Sequence, residues 1–247
     1  LFEMKFSLKL LNWYHENKRD LPWRQTKDPY KIWISEIILQ QTRVKQGLPY
    51  YKKFIKKYPS IVELSHASEK EILLMWQGLG FYNRAINLHE SAKIIVQTNN
   101  GIFPDTFDEI LKIKGVGDYT ASAISSICFG KKEVVIDGNV FRFISRIFGI
   151  KKDIKLKSTF NFFKKKLKAL IENFDPGDFN QALMEFGALN CVPFKPLCTS
   201  CIFKSECQAY IEKDVISYPL KKSKIIRKNR YFNYIVFSAN KKLVLKK

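Results

Sequence analysis

The sequence predicts an all-α body with a short β segment at its C-terminal end. Three observations lead there. Apolar residues recur at helical spacing through most of the chain, while strict alternation is scarce before residue 231. Glycines at 78, 101, 130 and 149 fall just after apolar-periodic stretches, as helix terminators do. The stretches 231–239 and 242–245 are rich in β-branched and aromatic residues and read as two strands, too few to fold alone.

In chain order, the spacing predicts helices over roughly 6–16, 30–42, 44–57, 69–78, 83–98, 105–111, 118–129, 138–148, 158–173, 178–190 and 204–212. Asp28-Pro29 places a proline at a helix start. Ser68 with Glu71 is a capping box. The basic segment 213–230 has little periodicity and reads as a linker.

With 247 residues, 46% hydrophobic and 27% charged, the chain can bury a sizeable core without disulfides. No apolar run approaches the roughly 20 residues that span a bilayer. The first ten residues lack a secretory pattern. The expected location is cytoplasmic and nucleoid-associated, of bacterial type, with no membrane contact, and the expected state is a monomer. The charge balance carries more information. Lys and Arg number 43 against 23 Asp and Glu, a formal +20, and residues 213–247 hold only one acid, Asp214. Such an excess suits a polyanion, because neutralising phosphates releases counterions. A compositional bias toward Lys is the plainer account.

Four motifs carry chemistry. Leu111-Lys-Ile-Lys-Gly115-Val-Gly117-Asp-Tyr119 places two glycines between a short helix and an Ala/Ser-rich one. Such glycines let backbone N–H groups at a helix N-terminus approach a phosphate, the helix–hairpin–helix mode of sequence-independent DNA binding. A tight turn between packed helices would look similar. Ile136-Asp137-Gly138-Asn139 follows, and by spacing alone Asp137 is an N-cap. On a wheel over 30–42, Glu36, Gln40 and Arg43 share one face. That face is either solvated or a polar strip against DNA, where Glu36 titrates and Gln40 reads or wedges a base. Finally, five cysteines are present, and Cys191, Cys198, Cys201 and Cys207 follow C-x6-C-x2-C-x5-C. Four thiolates in one loop suit a [4Fe–4S] cluster better than zinc, which more often uses two C-x-x-C knuckles. Lys195 and Lys204 could turn that loop toward phosphates. Cys128, in an apolar run, reads as a buried small hydrophobe.

Together these residues resemble the endonuclease III superfamily of helix–hairpin–helix DNA glycosylases, and within it the MutY-type adenine DNA glycosylases. The resemblance rests on Leu21-Pro-Trp23-Arg24, Ser35-Glu-Ile-Ile-Leu-Gln-Gln-Thr42, Gly78-Leu-Gly-Phe-Tyr82, Val135-Ile-Asp-Gly-Asn-Val140 and Ala182-Leu-Met-Glu-Phe-Gly187. It implies a two-lobed all-α fold. A six-helix barrel over 28–129 would carry the hairpin, and 1–27 with 130–212 would form an iron–sulfur cluster lobe. Residues 213–247 would be a basic linker and the truncated start of a nudix-like domain. The implied reaction is monofunctional excision of adenine mispaired with 8-oxoguanine or guanine in double-stranded DNA.

The resemblance also implies roles. Glu36 matches the acid that protonates the flipped adenine, and Asp137 the carboxylate that stabilises the cationic sugar. Tyr119 and Asn139 orient those two. Arg24 and Glu185 belong to the adenine pocket, and Trp23 is a further expected substrate or DNA contact. Gln41 and Tyr82 wedge the duplex near the lesion, Gln40 is a further expected DNA contact, Gly115 and Gly117 meet phosphate, and the four cysteines of the loop ligate the cluster. Bifunctional relatives carry a Schiff-base lysine where this chain has Tyr119. Two other readings remain: an endonuclease III-like enzyme for oxidised pyrimidines, and a non-catalytic metal-bearing DNA-binding module.

Overall fold

The structure, a computed structural model, describes residues 2–220, 231, 238–239 and 242–243. Its helices are α1 (Phe2–Asn17), α2 (Pro29–Leu39), α3 (Val44–Lys57), α4 (Ile61–His66), α5 (Glu69–Trp76), α6 (Asn83–Asn99), α7 (Phe107–Leu111), α8 (Asp118–Phe129), α9 (Gly138–Phe148), α10 (Lys157–Ile171), α11 (Pro176–Leu189) and α12 (Gln208–Ile211). Short 3₁₀ turns occupy Pro22–Arg24 and Val215–Ser217. Strands β1 (Ser238–Ala239) and β2 (Lys242–Leu243) pair antiparallel. The remainder of the expected β segment and most of the expected linker lie outside the described residues.

Local chemistry explains most of these boundaries. Asp28 accepts the Tyr30 amide at 3.0 Å ahead of Pro29, and Asp175 accepts the Asp178 amide at 2.8 Å ahead of Pro176. Ser68 and Glu71 form both halves of their capping box. Gly130 and Gly149 end α8 and α9 in the left-handed region. Three helix expectations need correction. Helix α4 was absent from the sequence reading, since six residues are too few to show a period, although Ser60 caps it. The helix expected over 204–212 is only Gln208–Ile211, because turns occupy the residues before it. The helix expected over 30–42 stops at Leu39, so Gln40 and Arg43 do not continue the face of Glu36. Gln40 is its C-cap, Gln41 turns left-handed at φ 56°, and Arg43 precedes α3 as its N-cap.

Two hydrophobic clusters organise the helices. The first gathers α2 to α8 around Trp33, Trp76, Phe54 and Leu64. The second gathers α1, α9, α10 and α11 around Phe6, Phe143, Phe163 and Phe186, with Phe203 from the cysteine loop. Within it, Phe143 and Phe186 stand 4.5 Å apart and Phe6 and Phe203 4.8 Å apart, centroid to centroid. Cys128, expected to be buried, is only half-buried against the first cluster.

Helix α11 joins the two clusters. Met184 packs against both. The Asn180 amide, fully buried, donates to Ser126 Oγ at 2.9 Å and to the Glu133 carbonyl at 2.8 Å, and it accepts the Val135 amide at 3.0 Å. One side chain thus stitches α11 to α8 and to the extended strand of chain that delivers Asp137. At the other end, Gly187 lets α11 press on the start of α9. A Cβ there would stand 2.8 Å from Asn139 Cβ and 2.9 Å from its carbonyl oxygen. Gly187→Ala is therefore expected to cost about 1–3 kcal/mol through overpacking against backbone. Thermal unfolding checks it, and an unchanged melting temperature would contradict the close approach.

Candidate active site between the two cores

Helix α2 is buried on nearly every side, from Tyr30 through Ile38 except Lys31, as expected of a helix apolar all round. Glu36 is the one acid within it. Its carboxyl is not on a solvated face but lines a pocket of about 540 Å³ whose walls come from both cores. Of the residues singled out in the sequence, Trp23, Arg24, Glu36, Tyr119, Asp137, Asn139 and Glu185 all line this pocket.

Burial pushes the Glu36 carboxyl up to about 7; the Tyr119 hydrogen bond pulls it down, and the Asp137 charge pushes it further up. Near neutrality the group is therefore balanced between acid and carboxylate. Burial, with the two nearby carboxylates, raises the Tyr119 hydroxyl well above its usual range, so it stays protonated. That hydroxyl lies 3.2 Å from Met184 Sδ as well as bonding Glu36.

Asp137 is indeed an N-cap, and it also faces the pocket. Oδ1 accepts the Val140 amide at 2.7 Å, and Oδ2 accepts Asn139 Nδ2 at 2.7 Å. Asn139 is held in turn by Arg142, whose Nη2 donates to Asn139 Oδ1 at 2.9 Å and to the Gly187 carbonyl at 2.6 Å. Arg142 Nε reaches the Cys191 carbonyl at 2.8 Å.

A third carboxyl group in the same pocket behaves oppositely to Glu36. Glu185, 1% exposed, would be pushed up by burial. Two-point contacts from Arg24 (2.7 and 2.6 Å) and Arg19 (2.8 and 2.6 Å) outweigh that and hold it down at about 2. Arg19 escaped the sequence reading; its signal was its place five residues before Arg24. Trp23 is 8% exposed and meets Tyr51 edge-on at 5.1 Å, so it serves as a pocket wall.

Gln40, Gln41, Tyr82, Gly115 and Gly117 are not among the pocket's lining residues. Gln40 Nε2 bonds the Gly115 carbonyl at 3.4 Å, linking the turn after α2 to the glycine hairpin. Gly115 sits at φ 84°, which favours glycine, and Gly117 opens α8 with no side-chain cap. Nothing stands within 4 Å of where a Gly117 Cβ would be, so that face is open to a ligand. Phe81, not singled out beforehand, is 62% exposed beside Tyr82 at 43%.

Cys191, Cys198, Cys201 and Cys207 line one small cavity walled by Phe143, Ile147 and Phe186. Among the described residues no group of three or more His, Cys, Asp or Glu stands close enough to hold a metal ion, so the thiols share a cavity without forming a cage. The donor set nevertheless fits a thiolate-bound group, being four soft ligands around one space. Arg146 Nη1, 3.5 Å from Cys191 Sγ, would suit a thiolate, and Arg146 also donates to the Val192 and Pro193 carbonyls at 2.7 Å and to the Val215 carbonyl at 2.9 Å. Burial pushes the Cys191 and Cys207 thiols up, and Cys201 to about 11. Arg142 and Arg146 had a sequence signal that was overlooked: two cations four apart in an otherwise apolar helix.

Two helical cores, a glycine hairpin on one, and an acid facing a capped carboxylate between them define the class of helix–hairpin–helix DNA glycosylases. A family model, "HhH-GPD superfamily base excision DNA repair protein", matches residues 34–169. The chain belongs to this family. It is 43% identical to the adenine DNA glycosylase of Buchnera aphidicola subsp. Acyrthosiphon pisum (strain APS), over 98% of this chain and 69% of that protein. It is 42% identical to the adenine DNA glycosylase of Buchnera aphidicola subsp. Baizongia pistaciae (strain Bp), over 95% of this chain and 67% of that protein. Among solved structures, a thermostable thymine-DNA glycosylase superposes with a TM-score of 0.77 at 32% identity, covering 85% of this chain and 97% of that one. No described helix is long and apolar enough to cross a membrane.

Glu36 gives a pH-dependent stability whose sign is fixed. Its folded pKa, about 7, exceeds the ordinary 4.5, so the favourable contribution is present below 4.5 and is lost as pH rises to 7. Glu36→Gln is therefore expected to stabilise the fold at pH 8 by about 3 kcal/mol and by much less at pH 5. Denaturant titrations at the two pH values check this; equal effects at both would contradict the burial.

Proposed function

We propose that this chain is a monofunctional adenine DNA glycosylase that acts as a monomer on adenine mispaired with 8-oxoguanine or guanine in double-stranded DNA. The observation that carries the reading is the meeting of Glu36, Tyr119 and Asp137 in one pocket walled by both cores. The names of the two Buchnera relatives support adenine as the base.

Inside a duplex the glycosidic bond is out of reach, so the adenine must first leave the stack and enter the pocket. Glu36, poised near pKa 7, gives its proton to a ring nitrogen of the base and makes it a better leaving group. The bond to the sugar breaks toward an oxocarbenium-like C1′, whose positive charge the Asp137 carboxylate stabilises electrostatically or by transient bonding. Water adds to C1′ and its proton returns to the Glu36 carboxylate, leaving free adenine and an abasic site. Asn139 and the Val140 amide keep Asp137 oriented, while Tyr119 keeps Glu36 oriented. Tyr119 has no amine and forms no Schiff base, so no lyase step follows. Glu185, pinned as a carboxylate by Arg19 and Arg24, offers a fixed acceptor edge to the amino group of the base. Gln41 and Tyr82 contact the duplex beside the lesion, and the open N-terminus of α8 with Gly115 and Gly117 receives a phosphate.

Glu36→Gln is expected to lower single-turnover excision about 10²–10⁴-fold while leaving affinity for the mispaired duplex intact. A near wild-type rate would overturn the assignment. The thymine-DNA glycosylase neighbour, at 32% identity, gives the rival pyrimidine reading its support. Parallel duplexes bearing adenine opposite 8-oxoguanine, thymine opposite guanine, and thymine glycol separate the two.

We assign Cys191, Cys198, Cys201 and Cys207 as ligands of a [4Fe–4S] cluster. When bound, such a cluster cross-links its loop through iron–thiolate bonds. Protein prepared anaerobically is expected to be brown. Cys198→Ser is expected to lower both iron content and duplex affinity. Colourless protein with one zinc per chain would contradict the assignment.

A further inference from the structure

One cation outside the pocket has an unusual set of partners. Arg84, the second residue of α6, directs Nη1 at the end of α2. It donates to the carbonyls of Ile37 at 3.0 Å, Ile38 at 3.1 Å and Gln40, and lies 3.5 Å from Thr42 Oγ1. Nη2 points the other way, to the carbonyls of Leu79 at 3.3 Å and Gly80 at 3.1 Å. The guanidinium carbon stands 5.4 Å from the Trp76 ring and 5.6 Å from the Phe81 ring. Among the described residues no carboxylate forms a salt bridge with Arg84. Burial lowers its pKa, and carbonyl dipoles, including the negative end of α2, together with the two ring faces offset that cost.

The two turns gripped in this way share a second property. Each contains a non-glycine residue in the left-handed region, Gln41 at φ 56° and Phe81 at φ 49°. Such conformations persist where surrounding contacts over-determine them. Each turn also presents its side chains outward. Gln41 is exposed, and Phe81 and Tyr82 are exposed aromatics that no core claims. Gln41 sits between the pocket-lining Leu39 and Thr42, and an exposed amide and exposed aromatic rings suit the hydrogen-bonding edges and π-faces of bases. Neighbouring bonds fix the same rim: Tyr50 Oη to the Gln77 carbonyl at 2.8 Å, and Gln40 Nε2 to the Gly115 carbonyl at 3.4 Å.

We propose that Arg84 is a positioning residue that clamps the Gln41 turn and the Phe81–Tyr82 turn into one rigid unit, setting the spacing at which their side chains enter the duplex. This deepens the glycosylase reading and rests on it. A guanidinium is required because its planar fork serves both turns at once, whereas an ammonium is a point charge that serves one. Arg84 acts only through the two turns, since it does not line the pocket.

The test compares wild type with Arg84→Lys, each alone and in a Gln41→Gly, Phe81→Gly, Tyr82→Ala background, which removes all three side chains while glycine tolerates the left-handed backbone at 41 and 81. The probe is a duplex with 2-aminopurine in place of the mispaired adenine, whose fluorescence rises as the base leaves the stack. Single-turnover excision of adenine is measured alongside. Arg84→Lys is expected to lower unstacking and excision about tenfold or more, the scale of lost charge-assisted hydrogen bonds, while affinity for undamaged duplex is kept. In the triply substituted background the same change is expected to have no further effect on either readout. An equal loss in both backgrounds, or wild-type unstacking in Arg84→Lys, would overturn the proposal.

Hydrogen exchange on the wild-type protein provides a test without mutation, which decides the matter should Arg84→Lys fail to fold. The bonded amides of Gln40, Thr42 and Leu79 are expected to open together, in one unit. Independent opening of the two turns would contradict the clamp. A wild-type protein that excised no adenine would sink the proposed activity, yet unstacking and exchange would still judge Arg84.

Discussion

The close approach of α11 to two other helices is what the pocket depends on. Gly177 lies where a Cβ would stand 2.9 Å from the backbone of Ile127 in α8, and Gly187 where one would strike Asn139 at the start of α9. With side chains at these positions α11 would be held away from both helices, and Asn180 could not reach Ser126 and Val135 together. Since α8 carries Tyr119 and the mouth of α9 carries Asp137, the spacing of those groups from each other is set by backbone contact. The hydrophobic clusters on either side supply the stabilisation, but they are large, tolerant surfaces. The two glycines and one buried amide supply the register.

That geometry creates an electrostatic contrast inside one cavity. Glu36 and Glu185 are both buried carboxyls lining the same space, yet one is pushed up to about 7 and the other held at about 2. The difference lies in their partners. Glu185 meets two guanidinium forks, whereas Glu36 meets a neutral hydroxyl and a second carboxylate. A pocket that keeps a proton on one wall and a permanent negative charge on the other can both donate to a base and accept from it. Such a division suits acid-assisted departure of a heterocycle.

Much of this was legible in the sequence because its chemistry is written in contiguous stretches. Leu21–Arg24, Ser35–Thr42, Val135–Val140 and Ala182–Gly187 each deliver their residues through a short segment with its own start signal, and seven of the residues singled out do meet in one pocket. What stayed hidden was of another kind. Arg19, Arg84, Arg142 and Arg146 act by gathering carbonyls or carboxylates from distant segments, and in a chain with 43 Lys and Arg their local signals, such as the i, i+4 spacing of Arg142 and Arg146, name no partner. The end of α2 was misread for the same reason. Its last turn is set by a guanidinium from α6, and the polar run Gln40-Gln41-Thr42-Arg43 after Leu39 fits the polar face of a longer helix as readily as a turn. Short elements such as α4 escaped because a single turn and a half has no periodicity to read.

The central claim is that a buried Glu36, protonated near neutrality, drives departure of the base. The measurement that bears on it most directly is the pH dependence of single-turnover adenine excision from a mispaired duplex, with base and sugar held constant and binding saturated. If Glu36 is the acid, with its carboxyl at about 7, the rate stays level in mild acid and falls by about tenfold per pH unit once that value is passed. A rate that is flat from mild acid to well above neutrality, or that rises with pH as a general base would make it, would contradict the account.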